Sequence, residues 1–497
     1  MADQAKTKTL AGLGLTAQDG REAQITGIAV DSRDVKDGFL FAALPGTRVH
    51  GGEFIQYALR MGAAAILTDR EGAQIAAKEL EQSNAALVLS EDPRQVLAYT
   101  AALWFGVQPQ TMVAATGTNG KTSVATFTRQ IWELLGKEAM NLGTTGVEGA
   151  YQAPLSHTTP EPITLHRLLA DAAAAGVTHG AMEASSHGLE QRRLDGVRLA
   201  AGAFTNFTQD HLDYHETFEA YFSAKAGLFS RVVAEDGTAV INIDDPKGVE
   251  MKMVADAHDL HVITIGKAED ADLRILGQRF DLTGQELRFS WQNGPAQQVR
   301  LNLVGGFQAE NVLAAAGLAI GAGEDAKDVF ATLHELKTVR GRMELAATRE
   351  NGAPVYVDYS HTPDAVKTAL QAMRPHVMGR LIVVLGAGGD RDKTKRPLMG
   401  QAAAQNADVV FVTDDNPRTE DPATIREMVM EGCPEATNVG DRAEAILRGV
   451  DALGAGDALL IAGKGHETGQ TVGTDILPFD DVEQASVAVA ALEGRLA

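Results

Sequence analysis

The chain has 497 residues, too many for one hydrophobic core, so several domains are expected. Its 44 Lys and Arg residues stand against 66 Asp and Glu, and the net charge of -22 disfavours nucleic-acid binding, which depends on clustered cations. A single cysteine, Cys433, excludes an intramolecular disulfide, and no apolar run reaches membrane-spanning length, so we expect a cytoplasmic protein without membrane insertion.

The first part of the chain, residues 1–109, predicts a small α/β domain. Apolar runs at 25–30, 39–44 and 64–68 predict short strands, and residues 52–61 predict a helix. Strands separated by helix-length segments indicate a mainly parallel sheet.

The second part, residues 110–342, opens with a predicted strand, a glycine-containing loop and an amphipathic helix. This is the architecture of a phosphate-binding loop, in which backbone N–H groups cradle phosphates, Lys reaches the β/γ oxygens and Thr ligates Mg²⁺. Ala115 stands where the usual pattern has its first Gly, and the alternative is an ordinary turn that contains Gly and Lys. The residues predicted to bind a nucleoside triphosphate here, which the family resemblance below identifies as ATP, are Gly117, Thr118, Asn119, Gly120, Lys121, Thr122 and Ser123.

Two polar residues later in this part have both a structural and a functional interpretation. Glu183 follows an apolar approach and is either a helix cap or a carboxylate that completes the coordination of Mg²⁺. Lys225 lies among apolar neighbours, either as a surface lysine or as a buried amine with an altered pKa. Residues 272–303 alternate polar and apolar side chains, which predicts an antiparallel insertion.

The third part, residues 343–497, predicts a Rossmann-like parallel sheet. Apolar runs at 355–358, 381–385, 409–413 and 458–462 alternate with helix-length segments. Polar motifs follow these strands, at the position where open α/β sheets usually bind ligands.

Two of these motifs suggest a zwitterion site. Asp415-Asn416-Pro417-Arg418 and Gly463-Lys464-Gly465-His466-Glu467 are turns by composition, but they also offer an Arg for a carboxylate and a Glu for an amine. The glycines at 386–389 suggest a dinucleotide site only weakly, because the third glycine of that pattern is missing.

The ordered set of motifs resembles the Mur ligases of peptidoglycan precursor synthesis, over essentially the whole chain. The segments are Thr-Gly-Thr-Asn-Gly-Lys-Thr, Glu-Ala-Ser-Ser-His-Gly-Leu, Thr-Asn-Phe-Thr-Gln-Asp-His-Leu-Asp-Tyr-His, Gly-Arg-Met-Glu, Asp-Tyr-Ser-His-Thr-Pro-Asp and Gly-Lys-Gly-His-Glu. The resemblance implies a UDP-sugar-binding domain at 1–109, a central ATPase domain at 110–342 and an amino-acid-binding domain at 343–497. It also implies ATP and Mg²⁺ as cofactors, small-molecule substrates and a monomer.

The family's functional residues map onto this chain by motif. Catalysis is implied for Lys121, Lys225, His211 and Glu183. Metal binding is implied for Thr122, Glu183, His211 and a carbamylated Lys225. Further nucleotide contacts are implied for Asn311, Arg342 and Asp358, with His361 nearby.

Two substrate sites follow from the same resemblance. The UDP-muramoyl dipeptide is expected at Val30, Ser32, Thr47, Arg48, Val49, His157, Thr158, Thr159, Ser185, Gln191 and Arg193. Diaminopimelate is expected at Arg391, Asp415, Asn416, Pro417, Arg418, Gly463 and Glu467.

These matches predict an ATP-dependent, ADP-forming amide ligase. It would activate the D-glutamyl γ-carboxylate of the UDP-linked dipeptide as an acyl phosphate and add meso-2,6-diaminopimelate. The alternatives are addition of lysine, folate polyglutamylation, a nucleotide-driven switch that hydrolyses ATP, and a dehydrogenase based on the glycines at 386–389.

Overall fold

The computed structural model describes residues 7–46, 49–208, 214–215 and 217–495. The chain divides into two compact units. The first, here the amino-terminal unit, comprises Met1–Thr264 and Ala314–Asp325, and the second, the carboxy-terminal unit, comprises Ile265–Leu313 and Ala326–Ala497. Within the described ranges, every helix is too short or too polar to cross a bilayer.

The amino-terminal unit begins with a four-stranded parallel sheet in the order β3-β4-β5-β6. Its strands consist almost wholly of buried apolar residues and are covered by short helices, as the sequence predicted. The elements are β1 (Lys8–Thr9), β2 (Gln24–Ile25), β3 (Gly27–Ala29), β4 (Phe39–Ala43), α1 (Ile55–Arg60), β5 (Ala65–Thr68), α2 (Arg70–Ile75), α3 (Ala77–Glu81), β6 (Ala86–Leu89) and α4 (Pro93–Phe105).

A second, larger sheet follows in the same unit, with strands in the order β12-β11-β7-β10-β8-β9. All its pairs are parallel except β8 with β9, and β7 lies between β10 and β11. The elements are β7 (Thr111–Thr116), α5 (Lys121–Leu134), β8 (Ala139–Gly143), β9 (Gly146–Gly149), α6 (Pro162–Ala174), β10 (His179–Glu183), α7 (Ser186–Glu190), β11 (Leu199–Phe204), α8 (Phe218–Gly227), β12 (Val233–Asn242) and α9 (Gly248–Asp256).

Two elements belong partly to each unit, namely β13 (His261–Gly266) and α10 (Phe307–Gly321). In the carboxy-terminal unit, β14 (Leu273–Asp281), β15 (Gly284–Trp291) and β16 (Gln297–Leu301) pair antiparallel. The antiparallel insertion predicted at 272–303 is therefore confirmed.

The main sheet of the carboxy-terminal unit has the order β17-β18-β22-β19-β20-β21, parallel except at β17. Its buried strands match the four predicted runs, and helices cover both faces. The elements are α11 (Ala326–Thr332), β17 (Glu344–Thr348), β18 (Pro354–Asp358), α12 (Pro363–Met373), β19 (Leu381–Leu385), α13 (Lys395–Asn406), β20 (Val409–Val412), α14 (Pro422–Met430), β21 (Thr437–Asn438), α15 (Arg442–Asp451), β22 (Ala458–Ala462), β23 (Gly469–Val472), β24 (Asp475–Pro478) and α16 (Asp481–Leu492).

Candidate active site

The loop after β7 has the geometry of a phosphate cradle. Gly117 has φ 146° and Gly120 has φ 89°, conformations that favour glycine, and α5 begins at Lys121. The Lys121 ammonium lies over the loop and donates to the carbonyls of Gly117 at 2.9 Å and Thr118 at 2.8 Å. Thr122 and Ser123 are buried in the first turn of the helix. The alternative of an ordinary turn is therefore disfavoured.

The end of the neighbouring strand β11 supports this loop. Thr118 N donates to Asn206 O and Asn119 N to Asn206 Oδ1, both at 2.9 Å. The Thr205 hydroxyl donates to Asn119 O at 2.6 Å. Sequence reasoning did not assign Thr205 or Asn206 to the site, although both belong to a motif that carries the family resemblance.

Gly117 leaves no room for a side chain. A Cβ atom there would lie 1.9 Å from Thr205 Oγ1, in a backbone conformation that L residues rarely adopt. We expect Gly117→Ala to displace the loop and weaken ATP binding about 100-fold. Titration calorimetry with a non-hydrolysable ATP analogue measures the change.

Gly136→Ala is the matched control for that substitution. Gly136 also has a positive φ, of 78°, but its Cβ would meet nothing within 4 Å. The Gly136→Ala variant therefore measures the effect of backbone strain alone, without a steric clash. Equal nucleotide affinities in the two variants would contradict the prediction.

Glu183 lies at the end of β10, opposite Ala115 in the register of β7. It is only 2% exposed, and its carboxylate accepts hydrogen bonds from Thr144 N at 2.8 Å and Thr144 Oγ1 at 3.4 Å. A Cβ on Gly143 would lie 2.0 Å from Glu183 Oε1, so this glycine makes room for the carboxylate. Glu183 is thus a buried acceptor at the loop-bearing edge of the sheet, not an exposed helix cap.

Thr122 and Glu183 supply the donor chemistry that Mg²⁺ prefers. Both offer hard oxygen atoms, and Mg²⁺ usually takes one or two carboxylates together with substrate phosphates and water. In the described part of the chain, no group of three or more His, Cys, Asp and Glu side chains could hold a metal by itself. The third predicted ligand, His211, lies outside the described residues. The residues present fit a magnesium ion that binds with the triphosphate.

Lys225 lies on α8 and is 1% exposed, so the surface-lysine interpretation is wrong. Its Nζ donates to Gly117 O at 2.7 Å and lies 4.4 Å from the centre of the Tyr221 ring. The Tyr221 hydroxyl is in turn 3.2 Å from Thr118 Oγ1. The buried lysine therefore reaches the phosphate loop directly.

Part of the predicted dipeptide site adjoins Glu183. The Thr159 hydroxyl donates to Glu183 O at 2.9 Å and accepts from Ser185 N at 3.1 Å. The Thr158 and Thr144 hydroxyls lie 3.1 Å apart, next to the Glu183 carboxylate.

Arg193 and Gln191 extend this network. Arg193 donates to Thr159 O at 2.6 Å and to Gln191 Oε1 at 2.8 Å, and Gln191 donates to the Tyr214 hydroxyl at 2.9 Å. Burial lowers the pKa of the Arg193 guanidinium. Exposed His157 instead contacts its neighbour Ser156 at 3.0 Å.

The remaining predicted UDP-sugar residues lie on the amino-terminal sheet. Val30 and Ser32 follow β3, and Val49 lies in the segment after β4. Ser32 is buried, whereas the two valines are exposed. Hydrogen bonds from Arg33 hold the pKa of the adjacent Asp31 at about 2. Thr47 and Arg48 lie outside the described residues.

In the carboxy-terminal unit, Asp358 ends β18 and is buried. Its carboxylate accepts from Met343 N at 2.8 Å and from the Ser360 hydroxyl. Burial raises its pKa, while the charge of Arg342 opposes this shift. The Arg342 guanidinium lies 4.9 Å from the centre of the Tyr359 ring. Two of the predicted nucleotide residues are therefore brought together.

Asn311 and His361 occupy other positions in this unit. Asn311, on α10, is 5% exposed and donates to Gln308 Oε1 at 3.1 Å. His361 follows Asp358 by three residues, its ring packs against Tyr359, and desolvation by the surrounding protein lowers its pKa. The Lys395 ammonium donates to His361 O at 2.9 Å.

The predicted diaminopimelate residues lie in loops that follow β19, β20 and β22. These strands are neighbours and parallel, so their carboxyl ends meet at one edge of the sheet. Asn416 Nδ2 donates to Glu467 Oε2 at 2.8 Å, which joins two of the loops. Gly463 has φ 120°, and a Cβ there would lie 2.6 Å from Asp415 Oδ2.

Arg418 is half-buried and held from both sides. Its backbone has φ 51° and forms two hydrogen bonds with β23 and the turn that follows it. Arg418 N donates to Thr471 O at 3.0 Å, and Gly473 N donates to Arg418 O at 2.7 Å. Its Nη1 donates to Gly389 O at 2.8 Å. Within the described chain, its Nε and Nη2 donate to no protein acceptor.

The glycines at 386–389 serve close packing between two loops. A Cβ on Gly389 would lie 1.8 Å from Pro417 O, and one on Gly388 would lie 2.9 Å from Arg418 Nη1. This physical reason for the glycines removes the support for a dehydrogenase. Exposed Arg391 lies in the same loop.

An ion pair between a fully buried arginine and a partly exposed glutamate braces this loop, and sequence reasoning missed it. Arg396 is fully buried and donates to Glu420 at 2.8 and 3.1 Å and to Gly388 O at 3.1 Å. Glu420 also accepts from Asp390 N at 2.6 Å, and its hydrogen bonds with Arg396 lower its pKa to about 2. The only indication of this ion pair in the sequence was that Glu420 comes shortly after the Asp-Asn-Pro-Arg motif.

The phosphate loop and the buried lysine beside it indicate that the amino-terminal unit binds a nucleoside triphosphate. Three family models match this chain. They are the Mur ligase family catalytic domain at residues 24–104, the Mur ligase middle domain at 115–319 and the Mur ligase glutamate ligase domain at 341–465. The chain belongs to the Mur ligase family, whose members are ATP-dependent and ADP-forming.

Individual relatives cover nearly the whole chain. The UDP-N-acetylmuramoyl-L-alanyl-D-glutamate–2,6-diaminopimelate ligase of Bradyrhizobium diazoefficiens is 48% identical over 94% of this chain and 95% of its own. The enzyme of the same name from Zymomonas mobilis is 47% identical, over 96% and 97%. A solved structure of a ligase of that name has a TM-score of 0.71 at 34% identity and covers 94% of this chain and 95% of its own.

Proposed function

We propose that this chain joins meso-2,6-diaminopimelate to the D-glutamyl γ-carboxylate of UDP-N-acetylmuramoyl-L-alanyl-D-glutamate, with hydrolysis of ATP to ADP and phosphate. The observation that carries the choice of amino acid is the geometry of Arg418. One edge of its guanidinium is fixed on Gly389 O, and the Nε and Nη2 donors remain for a carboxylate. Diaminopimelate has a second carboxylate that lysine lacks, and a guanidinium pairs with a carboxylate bidentately.

The reaction requires activation, because a carboxylate does not react with an amine. The γ-carboxylate attacks the γ-phosphorus of ATP, which forms an acyl phosphate and releases ADP. The amino group of diaminopimelate then attacks the acyl carbon. The tetrahedral intermediate loses a proton and expels phosphate, which leaves the amide.

The residues of the amino-terminal unit support the first step. Lys121, at the start of α5, places a positive charge on the loop that cradles the phosphates, where it stabilises the γ-phosphoryl group during transfer. Thr122 and Glu183 would hold Mg²⁺, which neutralises phosphate charge when bound. Arg193, Gln191 and Ser185 would orient the dipeptide.

Lys225 is proposed to act in its carbamylated form. Addition of CO₂ to its uncharged amine forms an anionic carbamate and releases one proton to solvent. The two oxygen atoms of the carbamate can ligate a divalent cation. Its burial and its contact with Gly117 O support this role, because they place the amine beside the loop that would hold the phosphates and their metal ion. We also propose His211 as a metal ligand. The domain bounds at 109 and 342 and a monomeric state belong to the same proposal.

A ligation assay tests the proposed function directly. The purified chain, ATP, Mg²⁺ and the UDP-muramoyl dipeptide are incubated with diaminopimelate or with lysine, and ADP and the UDP-tripeptide are quantified. We expect ligation with diaminopimelate to exceed that with lysine by about 1,000-fold in kcat/KM, because lysine leaves the Arg418 donors unpaired. Equal rates would contradict the amino-acid choice, and phosphate release without any amino acid would indicate a nucleotide switch.

A further inference from the structure

Lys464 is a fully buried lysine in the Gly463–Glu467 loop. Its ammonium donates to Asn416 Oδ1 at 3.3 Å, to Glu467 Oε2 at 3.2 Å and to the carbonyl of Gly469. An ammonium group has three N–H donors, so each has an acceptor. Such saturation is needed to keep a charged lysine out of water.

The three acceptors belong to three different segments of the proposed amino-acid site. Asn416 lies in the loop after β20, Glu467 in the loop after β22, and Gly469 at the start of β23. Asn416 makes two further contacts, from its Nδ2 to Glu467 Oε2 at 2.8 Å and from Thr471 N to its Oδ1 at 2.8 Å. Lys464 is thus at the centre of a small buried network.

This network distinguishes the two carboxylate oxygens of Glu467. Oε2 accepts from both Lys464 and Asn416, whereas in the described residues Oε1 accepts no hydrogen bond from a side chain or backbone N–H. Oε1 is therefore the atom available to a ligand ammonium. A rotation of the Glu467 side chain would break both bonds at Oε2, so its orientation is set before the ligand binds.

The same network reaches the other end of the site. Thr471, which donates to Asn416, accepts from Arg418 N at 3.0 Å. β23 is thus tied to Lys464 through Gly469 and to Arg418 through Thr471. The positions of the Glu467 carboxylate and the Arg418 guanidinium are coupled through it.

We propose that Lys464 is a positioning residue for the amino-acid substrate. It holds Glu467 and Asn416 so that Glu467 Oε1 receives an ammonium group of the substrate, and it maintains the spacing from Glu467 to Arg418. Lys464 itself does not contact the substrate, because its three donors are occupied and its side chain is fully buried. The inference rests on the proposed function, since it assigns the ligand of this site as an amino acid.

Lys464→Met tests the proposal, because methionine retains most of the volume and removes the charge and the donors. Steady-state kinetics are measured separately for the amino acid, ATP and the UDP-dipeptide. We expect the KM for diaminopimelate to rise about 10- to 100-fold, because a misplaced carboxylate loses its ion pair with the substrate. The KM values for ATP and the UDP-dipeptide should stay within about twofold, which a general loss of structure would not produce.

Arg380→Met is the matched control. Arg380 pairs with Asp457 at 2.7 Å in the same unit, but it precedes β19 at the opposite end of the parallel sheet. Its loss should lower the melting temperature without changing the KM for the amino acid. If Lys464→Met does not fold, Lys464→Gln replaces it, because glutamine keeps one donor group without the charge. Lys464→Gln must then raise the KM for diaminopimelate.

The outcomes separate this proposal from the proposed function. If the unmodified chain does not ligate diaminopimelate, the proposed function fails before Lys464 is tested. If the unmodified chain is active and a folded Lys464→Met or Lys464→Gln enzyme has an unchanged KM for diaminopimelate, the positioning role is overturned. Equal increases in all three KM values would also overturn it, because they would indicate a structural role only.

Discussion

Arg418→Ala should lower kcat/KM for diaminopimelate about 100- to 1,000-fold while ATP binding is unchanged. Its guanidinium is held by Gly389 O on one edge, and its other donors are the ones proposed to bind the distal carboxylate of diaminopimelate. Without it, that carboxylate would lose its partner in a partly desolvated site. Ligation kinetics with diaminopimelate and calorimetric titration with an ATP analogue measure the two effects separately.

Two further variants sharpen this prediction. Arg418→Lys keeps the charge but not the planar pair of donors, and we expect it to recover only part of the activity. Arg448→Ala removes an exposed arginine on α15 that pairs with Glu444, and it should leave kcat/KM within about twofold. A loss for Arg418→Ala that is equal with diaminopimelate and with lysine would contradict a role in recognising the distal carboxylate.

Lys225→Ala should reduce turnover about 100- to 1,000-fold or more. The substitution removes a group that lies 2.7 Å from the carbonyl of Gly117, and with it the proposed carbamate. Initial rates at saturating substrates measure the loss. Short carboxylates such as formate or acetate should restore part of the activity, because they can occupy the space of the carbamate and supply its oxygen ligands.

The carbamate can also be observed without an activity assay. In the unmodified chain equilibrated with ¹³C-bicarbonate, we expect a carbamate resonance in the carbon NMR spectrum that is absent from Lys225→Ala. Lys252→Ala, which removes a partly exposed lysine paired with Asp256 on α9, should retain both the resonance and full activity. An active chain without the carbamate resonance would contradict the carbamylation hypothesis.

Features that depend on contiguous residues were predictable from the sequence. The phosphate loop was recognised because strand, glycines, lysine and helix follow one another within about 25 residues, and local chemistry sets their conformation. The strands of the carboxy-terminal unit were predicted from apolar runs, because a strand covered on both faces has no polar side. Asp358 was predicted at the end of a strand and ends β18, and the motif that begins at Asp415 was predicted after a strand and follows β20.

Contacts between distant segments were not predictable in this way. Lys225 and Gly117 are 108 positions apart, and their hydrogen bond depends on how α8 packs near the end of β7. Lys464 appeared to be a turn residue between two glycines, yet it is fully buried. Thr205 and Asn206 support the phosphate loop only because β11 lies next to β7.

The sequence alone determined the family, the phosphate loop and the candidate motifs, because each is encoded in short ordered segments whose spacing identifies them. The tertiary structure decided which of those groups act together. In the folded chain, Lys225 and Glu183 are buried and one edge of the Arg418 guanidinium is hydrogen-bonded. One carboxylate oxygen of Glu467 is available to a ligand. Strand order and register set these arrangements, since they bring together loops that are far apart in the chain.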